Sequence, residues 1–329
     1  MDSFCVQMAG LVLAFLMLLR WWLSSPSLRL KGKHVVITGG SSGIGQAIAL
    51  KVAAEGAKVT IVARNKARLE QAKALIGAAG ADAGTSAVHT VSADVGDVAD
   101  AKRAMDEAAA SAGPVDVLIC SAGITRPGVF EEIPVAEFEQ QMRVNYLGTV
   151  HCIHAVVGGM KRRGDGGAIV MVASQAGQIG VYGYGAYTPS KFALRGLAES
   201  LRMELKPHGV AVSVAYPPDT DTPMLAGEAE FRPLETALIS GDAKKFSAEA
   251  VAADIVAGLK RRAFRIPTGF DGFLLDKSTC CLAPASDPLE LLLELLTYPI
   301  WRCVGAGMLA YFDWICQREH SKRKCTKAD

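Results

Sequence analysis

Short runs rich in valine and isoleucine alternate with longer helical patterns from His34 onward, and this alternation most constrains the fold. Each run is apolar and β-branched, as expected of a strand that is buried on both faces. The candidate strands are 34–38, 58–62, 87–93, 115–120, 168–173 and 210–216, with a weaker one at 264–269. Because the helices between them act as crossovers, we expect one α/β domain over residues 30–275, built on a doubly wound parallel sheet.

The composition suits a globular, cytosol-facing domain. Of the 329 residues, 50% are hydrophobic and 21% are charged, with a formal net charge of +2. The basic runs at 161–163 and 322–324 have no interleaved aromatic residues, so we expect no nucleic-acid partner. The eight cysteines form no C-x-x-C pair and lack histidines at ligand spacing, so we expect reduced thiols and no metal site. Cys280 and Cys281 are either ordinary thiols or acylation sites.

Two apolar segments flank the predicted domain. The first, Met8–Leu23, carries Arg20 and two tryptophans near its end, and basic residues follow it. This pattern favours an uncleaved N-terminal membrane anchor within 1–29, with the following chain in the cytoplasm. We interpret 276–329 as a membrane-associated C-terminal tail.

The tail is too charged to be a simple membrane span. Glu290 and Glu294 fall on one face of the apolar run 289–296, and we expect Pro299 to end that helix. The charge-free stretch 303–312 is about half the length of a span. The sequence favours an interfacial helix followed by a shallow re-entrant segment or a marginal span, and the alternative is a hydrophobic helix packed on the enzyme.

A glycine-rich turn follows the first candidate strand and leads into a helix that starts near Ile44. Glycines allow backbone N–H groups to approach a pyrophosphate, and the helix N-terminus favours its negative charge. This position at the start of a doubly wound pattern predicts a dinucleotide site. The residues predicted to contact the phosphates are Gly39, Ser41, Ser42, Gly43, Ile44 and Gly45.

The residue after the second strand indicates which dinucleotide binds. An NAD-preferring enzyme usually has a carboxylate there, whereas this chain has Arg64, with Lys66 and Arg68 beyond it. A guanidinium group binds a 2′-phosphate through charge-assisted hydrogen bonds, so we expect NADPH as the cofactor. Arg64 is the expected main determinant, and Lys66 and Arg68 are further candidate contacts whose alternative is to be solvent-facing helix charges.

Ser174, Tyr187 and Lys191 form the candidate catalytic group. Tyr187 and Lys191 are four residues apart and share one face of a helix, while Ser174 ends the preceding strand. A phenol can protonate the oxygen of a ketone that receives hydride, and we expect the lysine cation to lower the phenol pKa. Ser174 is positioned to orient the carbonyl oxygen.

Two other tyrosines compete for the proton-donor role. Tyr182 and Tyr184 lie close by, but neither has a lysine four residues on. Pro189 is tolerated only in the first turn of a helix, so the helix either begins near Tyr187 or is distorted there.

These motifs together resemble the short-chain dehydrogenase/reductase family. The motifs are T-G-x-x-x-G-x-G at 38–45, Asp94-Val95, Ala122-Gly123, Asn145, Ser174 and Y-x-x-x-K at 187–191. The resemblance implies a Rossmann-type fold, direct hydride transfer, and homodimers or homotetramers. It also implies that Asn145 holds a proton-relay water and that Asp94 contacts the adenine. Further cofactor contacts implied by it are Val95, Ala122, Gly123, Tyr187, Lys191, Pro217 and Thr220.

Several segments resemble a narrower group of that family, the 3-ketodihydrosphingosine reductases of sphingolipid synthesis. They include "SQAGQIG" at 174–180, "VAYPPDTDTP" at 214–223 and "GFDGFLLDKSTC" at 269–280. The resemblance implies that NADPH reduces a long-chain keto-base lipid at the cytosolic face of the endoplasmic reticulum membrane. Asp219 or Asp221 would contact the substrate ammonium group or only shape the loop. A membrane-anchored steroid or retinol dehydrogenase and a non-catalytic NADPH-binding scaffold remain alternatives.

Overall fold

Strands of this chain form one large parallel sheet and one small strand pair. The computed structural model describes residues 27–79, 88–241, 245–279, 285 and 288–326. The described strands are β1 (His34–Thr38), β2 (Lys58–Ala63), β3 (Val88–Ser92), β4 (Val117–Cys120), β5 (Gly167–Val172), β6 (Val210–Tyr216), β7 (Thr220–Asp221), β8 (Phe246–Ser247) and β9 (Arg265–Pro267). The seven-stranded sheet has the order β3-β2-β1-β4-β5-β6-β9, and β7 pairs with β8.

Helices connect the strands and cover both faces of the sheet. The described helices are α1 (Gly43–Ala54), α2 (Lys66–Ala79), α3 (Val98–Ala112), α4 (Val135–Gln141), α5 (Gly148–Arg163), α6 (Tyr187–Leu205), α7 (Pro223–Glu228), α8 (Leu234–Ser240), α9 (Ala248–Lys260), α10 (Gly269–Thr279) and α11 (Pro288–Thr326). A π-helical stretch, Met142–Leu147, joins α4 to α5. Local sequence sets several ends: α5, for example, stops at Gly164, which adopts a left-handed φ of 66°.

The two faces of the sheet bury separate hydrophobic cores. Successive strand side chains point to opposite faces, so Val36 joins one core while its neighbours Val35 and Ile37 join the other. The first core includes Met105 of α3 and the second includes Ile48 of α1. Burial on both faces accounts for the continuous apolar runs in the sequence.

The seven predicted strands are all confirmed, and so are two predicted helix starts. The weak run at 264–269 contains the edge strand β9, which pairs with β6. Helix α1 begins at Gly43, and α6 begins at Tyr187 with Pro189 in its first turn. The predicted anchor at 8–23 and the cysteine pair at 280–281 lie outside the described residues.

The prediction that Pro299 ends the tail helix is wrong. Helix α11 runs through it as one element from Pro288 to Thr326. Proline removes one backbone hydrogen bond, here the one to the carbonyl of Leu295, and the rest of the helix still packs against α8 and α10. Nearby, the indole N–H of Trp301 donates to the Thr297 hydroxyl at 2.8 Å.

Glu290 and Glu294 of α11 face the domain, where they join a buried ion cluster. Arg265 of β9 contacts Glu294 closely and lies 2.6 Å from Glu290, while Lys277 of α10 lies 2.5 Å from Glu290 and 3.1 Å from Glu294. Asp276 completes the cluster, 3.3 Å from the Arg265 guanidinium. This cluster ties the tail helix to the edge of the sheet.

The leucines of α11 consequently face outward. Leu295 and Leu296 are 69% and 67% exposed, and the exposed apolar face continues through Ile300 and Val304. The face that carries Glu290 and Glu294, which an interfacial helix would turn toward water, therefore packs against the protein instead. Within the described part of the chain, no helix is long and apolar enough to cross a membrane.

We expect Arg265→Met to release α11 from the domain. The change leaves carboxylates of the ion cluster buried without their guanidinium partner, and breaking such a buried pair costs about 3 kcal/mol or more. Limited proteolysis of the purified chain should then cut faster between α10 and α11. Arg261→Met, at an exposed arginine near the end of α9, serves as the control and should leave the cleavage rate unchanged. Equal cleavage rates for the two variants would show that the cluster does not hold the helix.

Candidate active site

A cleft of about 510 Å³ opens at the carboxyl edge of the sheet. The loops that follow the strands meet there, since parallel strands end at a common edge. Sixteen of the predicted site residues line this cleft: Gly39, Ser41, Ser42, Gly43, Ile44, Gly45, Arg64, Arg68, Asp94, Val95, Ala122, Gly123, Ser174, Lys191, Pro217 and Thr220. The fold thus assembles positions that are far apart in sequence.

The glycine-rich turn packs too closely against neighbouring backbone for side chains at two of its positions. Gly39 has φ +69°, and a Cβ there would lie 2.9 Å from the backbone of Ala122. A Cβ on Gly45 would lie 2.4 Å from the Gly39 carbonyl oxygen. Glycine at these positions therefore allows the turn to close tightly at the N-terminus of α1, and a helix N-terminus that opens into a cleft suits a pyrophosphate group.

The basic residues after β2 divide into two groups. The exposed side chains of Arg64 and Arg68 line the cleft, whereas Lys66, the first residue of α2, does not. Lys66 is exposed at the start of α2, so its contact with a cofactor stays a prediction. Asp94 lines the cleft farther along, where its carboxylate accepts a hydrogen bond from Gly96 N at 2.9 Å.

Tyr187 begins α6 and lies beside Ser174. A hydrogen bond with the Ser174 hydroxyl lowers the pKa of Tyr187, but burial, followed by the charge of Glu228, raises that pKa by more. Ser174 itself caps the short turn after β5 by accepting a hydrogen bond from Ala176 N at 3.1 Å. The phenol consequently keeps its proton at neutral pH.

Lys191 is buried one helical turn from Tyr187. Its ammonium group donates to the Val172 carbonyl at 3.0 Å and lies 5.5 Å from the centre of the Tyr187 ring. Burial lowers the pKa of Lys191 to about 8. Our expectation that this cation lowers the Tyr187 pKa is not met here, because the ammonium group is directed to a carbonyl and lies over the ring.

Asn145 lies fully buried in the π-helical stretch between α4 and α5. Its amide oxygen accepts from Ile124 N at 2.8 Å, and its amide nitrogen donates to the Ile124 carbonyl and the Ser190 hydroxyl, both at 2.9 Å. The side chain thereby fastens the loop after β4 to α6. Its role in holding a relay water stays a prediction.

Sequence reasoning missed Glu228, which also lines the cleft. Its carboxylate accepts a hydrogen bond from the Tyr184 hydroxyl at 2.5 Å, so this rival tyrosine is already engaged. Asp219 lines the cleft and pairs with Arg232 at 2.7 Å, whereas Asp221 is exposed and outside it. A single glutamate in a six-residue helix carries no pattern that would have revealed it.

A phosphate cradle beside a tyrosine and a lysine at the edge of a doubly wound sheet is the arrangement of a nicotinamide-dependent oxidoreductase. The family model described as short chain dehydrogenase matches residues 33–233, and the chain belongs to that family. The family and its solved relatives indicate a nicotinamide dinucleotide as cofactor.

Two similar proteins are 3-ketodihydrosphingosine reductases. Those of Bos taurus and Mus musculus are 43% and 45% identical, and each match covers 94% of this chain and 94% of the relative. Among solved structures, 3-ketoacyl-(acyl-carrier-protein) reductase from Brucella melitensis complexed with NADH has a TM-score of 0.62 and 28% identity, covering 70% of this chain and 91% of that one. The similarity to the reductases extends well beyond the family domain.

We expect Lys191→Met to stabilise the cofactor-free protein at pH 7 by about 2 kcal/mol. Burial lowers the pKa of Lys191 from 10.5 to about 8, which corresponds to about 3 kcal/mol, against about 1 kcal/mol for the lost hydrogen bond. Between about pH 8 and pH 10.5, Lys191 is protonated in the unfolded wild-type chain but not in the folded one. The free energy of unfolding of the wild type therefore rises with pH in this range. The advantage of the variant should therefore disappear by pH 10.5.

Urea unfolding at pH 7 and pH 10 measures this difference. Lys206→Met, at an exposed lysine just after α6, is the matched control and should change stability little at either pH. A Lys191→Met protein that is less stable at both pH values would contradict the burial cost.

Proposed function

We propose that this chain reduces 3-ketodihydrosphingosine to dihydrosphingosine with NADPH. The ketone carbon gains hydride, its oxygen gains a proton, and a secondary alcohol results. The observation that carries the proposal is similarity to 3-ketodihydrosphingosine reductases at 43% and 45% identity over 94% of the chain. The cleft supports it, since the glycine-rich turn lines it together with Ser174 and Lys191, and both of these residues contact Tyr187.

The residues of the chain donate a proton and orient the ketone, while bound NADPH supplies the hydride. Tyr187 gives its proton to the oxygen that becomes negative, and burial keeps the phenol protonated until then. Ser174 donates a hydrogen bond to the same oxygen. Lys191, with a pKa of about 8, carries a positive charge at neutral pH and binds the cofactor ribose through its ammonium group.

Arg64 supports the choice of NADPH over NADH. It follows β2 and lines the cleft, where the ribose of the adenosine half would lie. An arginine there binds a 2′-phosphate, which a carboxylate would repel. Ser41 and Ser42 line the same part of the cleft and add hydroxyl donors.

A lipid substrate also explains the outward leucines of α11. A helix that is bound to the domain by its charged face and exposes its apolar face is suited to lie on a bilayer. The protein would then act at the endoplasmic reticulum membrane, with its catalytic domain on the cytosolic side. Membrane lipid is thus a proposed partner.

We expect the purified chain to reduce a ketosphinganine with NADPH far faster than a steroid ketone or retinal. Consumption of NADPH, together with chromatography of the lipid product, measures the three rates. Tyr187→Phe should lower ketosphinganine reduction by about 100-fold or more, because it removes the proton donor and little else.

Binding of NADPH to Tyr187→Phe, measured by fluorescence, should remain and serves as the control for folding. Faster reduction of the steroid ketone or of retinal would favour the related dehydrogenases. Binding of NADPH without reduction of any of the three would favour a non-catalytic protein. Undiminished activity of Tyr187→Phe would overturn the mechanism.

We expect Arg64→Ala to raise the KM for NADPH by about tenfold or more and to leave the KM for NADH nearly unchanged. In the proposed complex the guanidinium group would contact only the 2′-phosphate, and a charged hydrogen bond contributes about 1.5 kcal/mol or more. Lys66→Ala is the matched control, since Lys66 lies two residues away and outside the cleft. Equal losses with both cofactors would show that Arg64 does not select between them.

A further inference from the structure

Glu228 ends α7, a short helix that forms part of the wall of the catalytic cleft. Thr222 caps this helix by accepting a hydrogen bond from Leu225 N at 3.3 Å, and a Cβ on Gly43 would lie 3.0 Å from the Thr222 methyl carbon. Helix α7 therefore lies directly over the phosphate cradle. This places Glu228 in the same cleft as Ser174 and Lys191.

The Glu228 carboxylate is buried close to the proton donor. The residue is 7% exposed, and its carboxylate accepts the Tyr184 hydroxyl at 2.5 Å. The ring of Tyr184 lies 5.7 Å from that of Tyr187, centre to centre. The charge of Glu228 contributes to raising the Tyr187 pKa, as expected for neighbouring groups. A substrate whose ketone oxygen is held at Tyr187 would thus place its adjacent atoms near Glu228.

The carboxylate has no ion-pair partner in the described part of the chain. No lysine or arginine nitrogen of residues 27–79, 88–241, 245–279 and 288–326 forms an ion pair with it. The nearby Arg232 pairs with Asp219 at 2.7 Å, and its charge acts on Glu228 from beyond ion-pair distance. Burial raises the pKa of Glu228, so an incoming cation would stabilise its ionised form.

A buried carboxylate without a cation differs from the ion cluster under α11. There, Arg265 and Lys277 compensate the three acidic groups directly. Burying a carboxylate without an ion-pair partner costs free energy. Such a group is typical of a binding cleft, where a ligand can supply the opposite charge.

The geometry points to Glu228 as the residue that binds the substrate's ammonium group, on the carbon next to the ketone; this inference rests on the proposed function. The ligand class is a 2-ammonium ketone with a long alkyl chain. The carboxylate aligns the ketone with Tyr187 by holding the neighbouring atom, and it distinguishes amino ketones from plain ketones. Of the two earlier candidates, Asp219 is already paired with Arg232 and Asp221 lies outside the cleft.

The test compares two ketones that differ at one group. Wild type and Glu228→Gln are assayed in detergent micelles with NADPH on 3-ketodihydrosphingosine and on 1-hydroxyoctadecan-3-one, which lacks the ammonium group. We expect Glu228→Gln to lower kcat/KM for the amino ketone by about 30-fold or more, as when one partner of a buried charge pair is removed. The plain ketone should lose less than threefold.

Two further variants separate binding from support of the fold. Tyr184→Phe removes the hydroxyl that holds the carboxylate but keeps the charge, so it should retain most of the preference for the amino ketone. Glu230→Gln, at an exposed glutamate two residues away, should match wild type on both ketones. NADPH binding by every variant confirms that the cofactor half of the cleft is intact.

The outcomes distinguish this inference from the proposed function. If the wild type does not reduce 3-ketodihydrosphingosine, the proposed function fails, and the ammonium role fails with it. If the wild type reduces it and Glu228→Gln loses activity equally on both ketones, Glu228 supports only the structure and the inference is overturned. A selective loss on the amino ketone establishes the ammonium contact.

Discussion

Burial of the sheet on both faces is the constraint on which the rest of this structure depends. Because helices cover both faces, the sheet is open to a ligand at the ends of its strands. The loops that follow β1, β2, β3, β4, β5 and β6 converge at the carboxyl edge. Glycine at 39 and 45 lets these loops approach one another closely. The glycine-rich turn and the neighbours of Tyr187, Ser174 and Lys191, line one cleft for this reason, although well over a hundred positions separate them in sequence.

Buried charge is handled in two different ways in this molecule. Under α11, the acidic residues meet Arg265 and Lys277, and the compensated cluster fastens the tail to the edge strand β9. In the cleft, Lys191 faces a carbonyl and Glu228 a tyrosine hydroxyl, each without an ion pair in the described residues. Charges that lack a partner are costly to bury, and their concentration in the cleft agrees with a site that binds charged ligands.

The ion cluster also determines what the tail presents to its surroundings. A helix with leucines around most of its circumference would ordinarily pack them against the domain. Here the two glutamates are directed inward by their cationic partners, so Leu295 and Leu296 remain exposed. The ion cluster thereby orients the helix with its charged face toward the domain and its apolar face outward.

The sequence by itself determined the strands, the glycine cradle, the start of α6 and the group Ser174, Tyr187 and Lys191, because these depend on local periodicity, backbone freedom and fixed spacing. Only the tertiary structure decided what depends on distant neighbours. Arg68 lines the cleft and Lys66 does not, α11 continues through Pro299, and the Glu228 carboxylate accepts a hydrogen bond from Tyr184, 44 positions away in the chain. Such contacts depend on how the helices pack against the sheet, and no local sequence pattern predicts them.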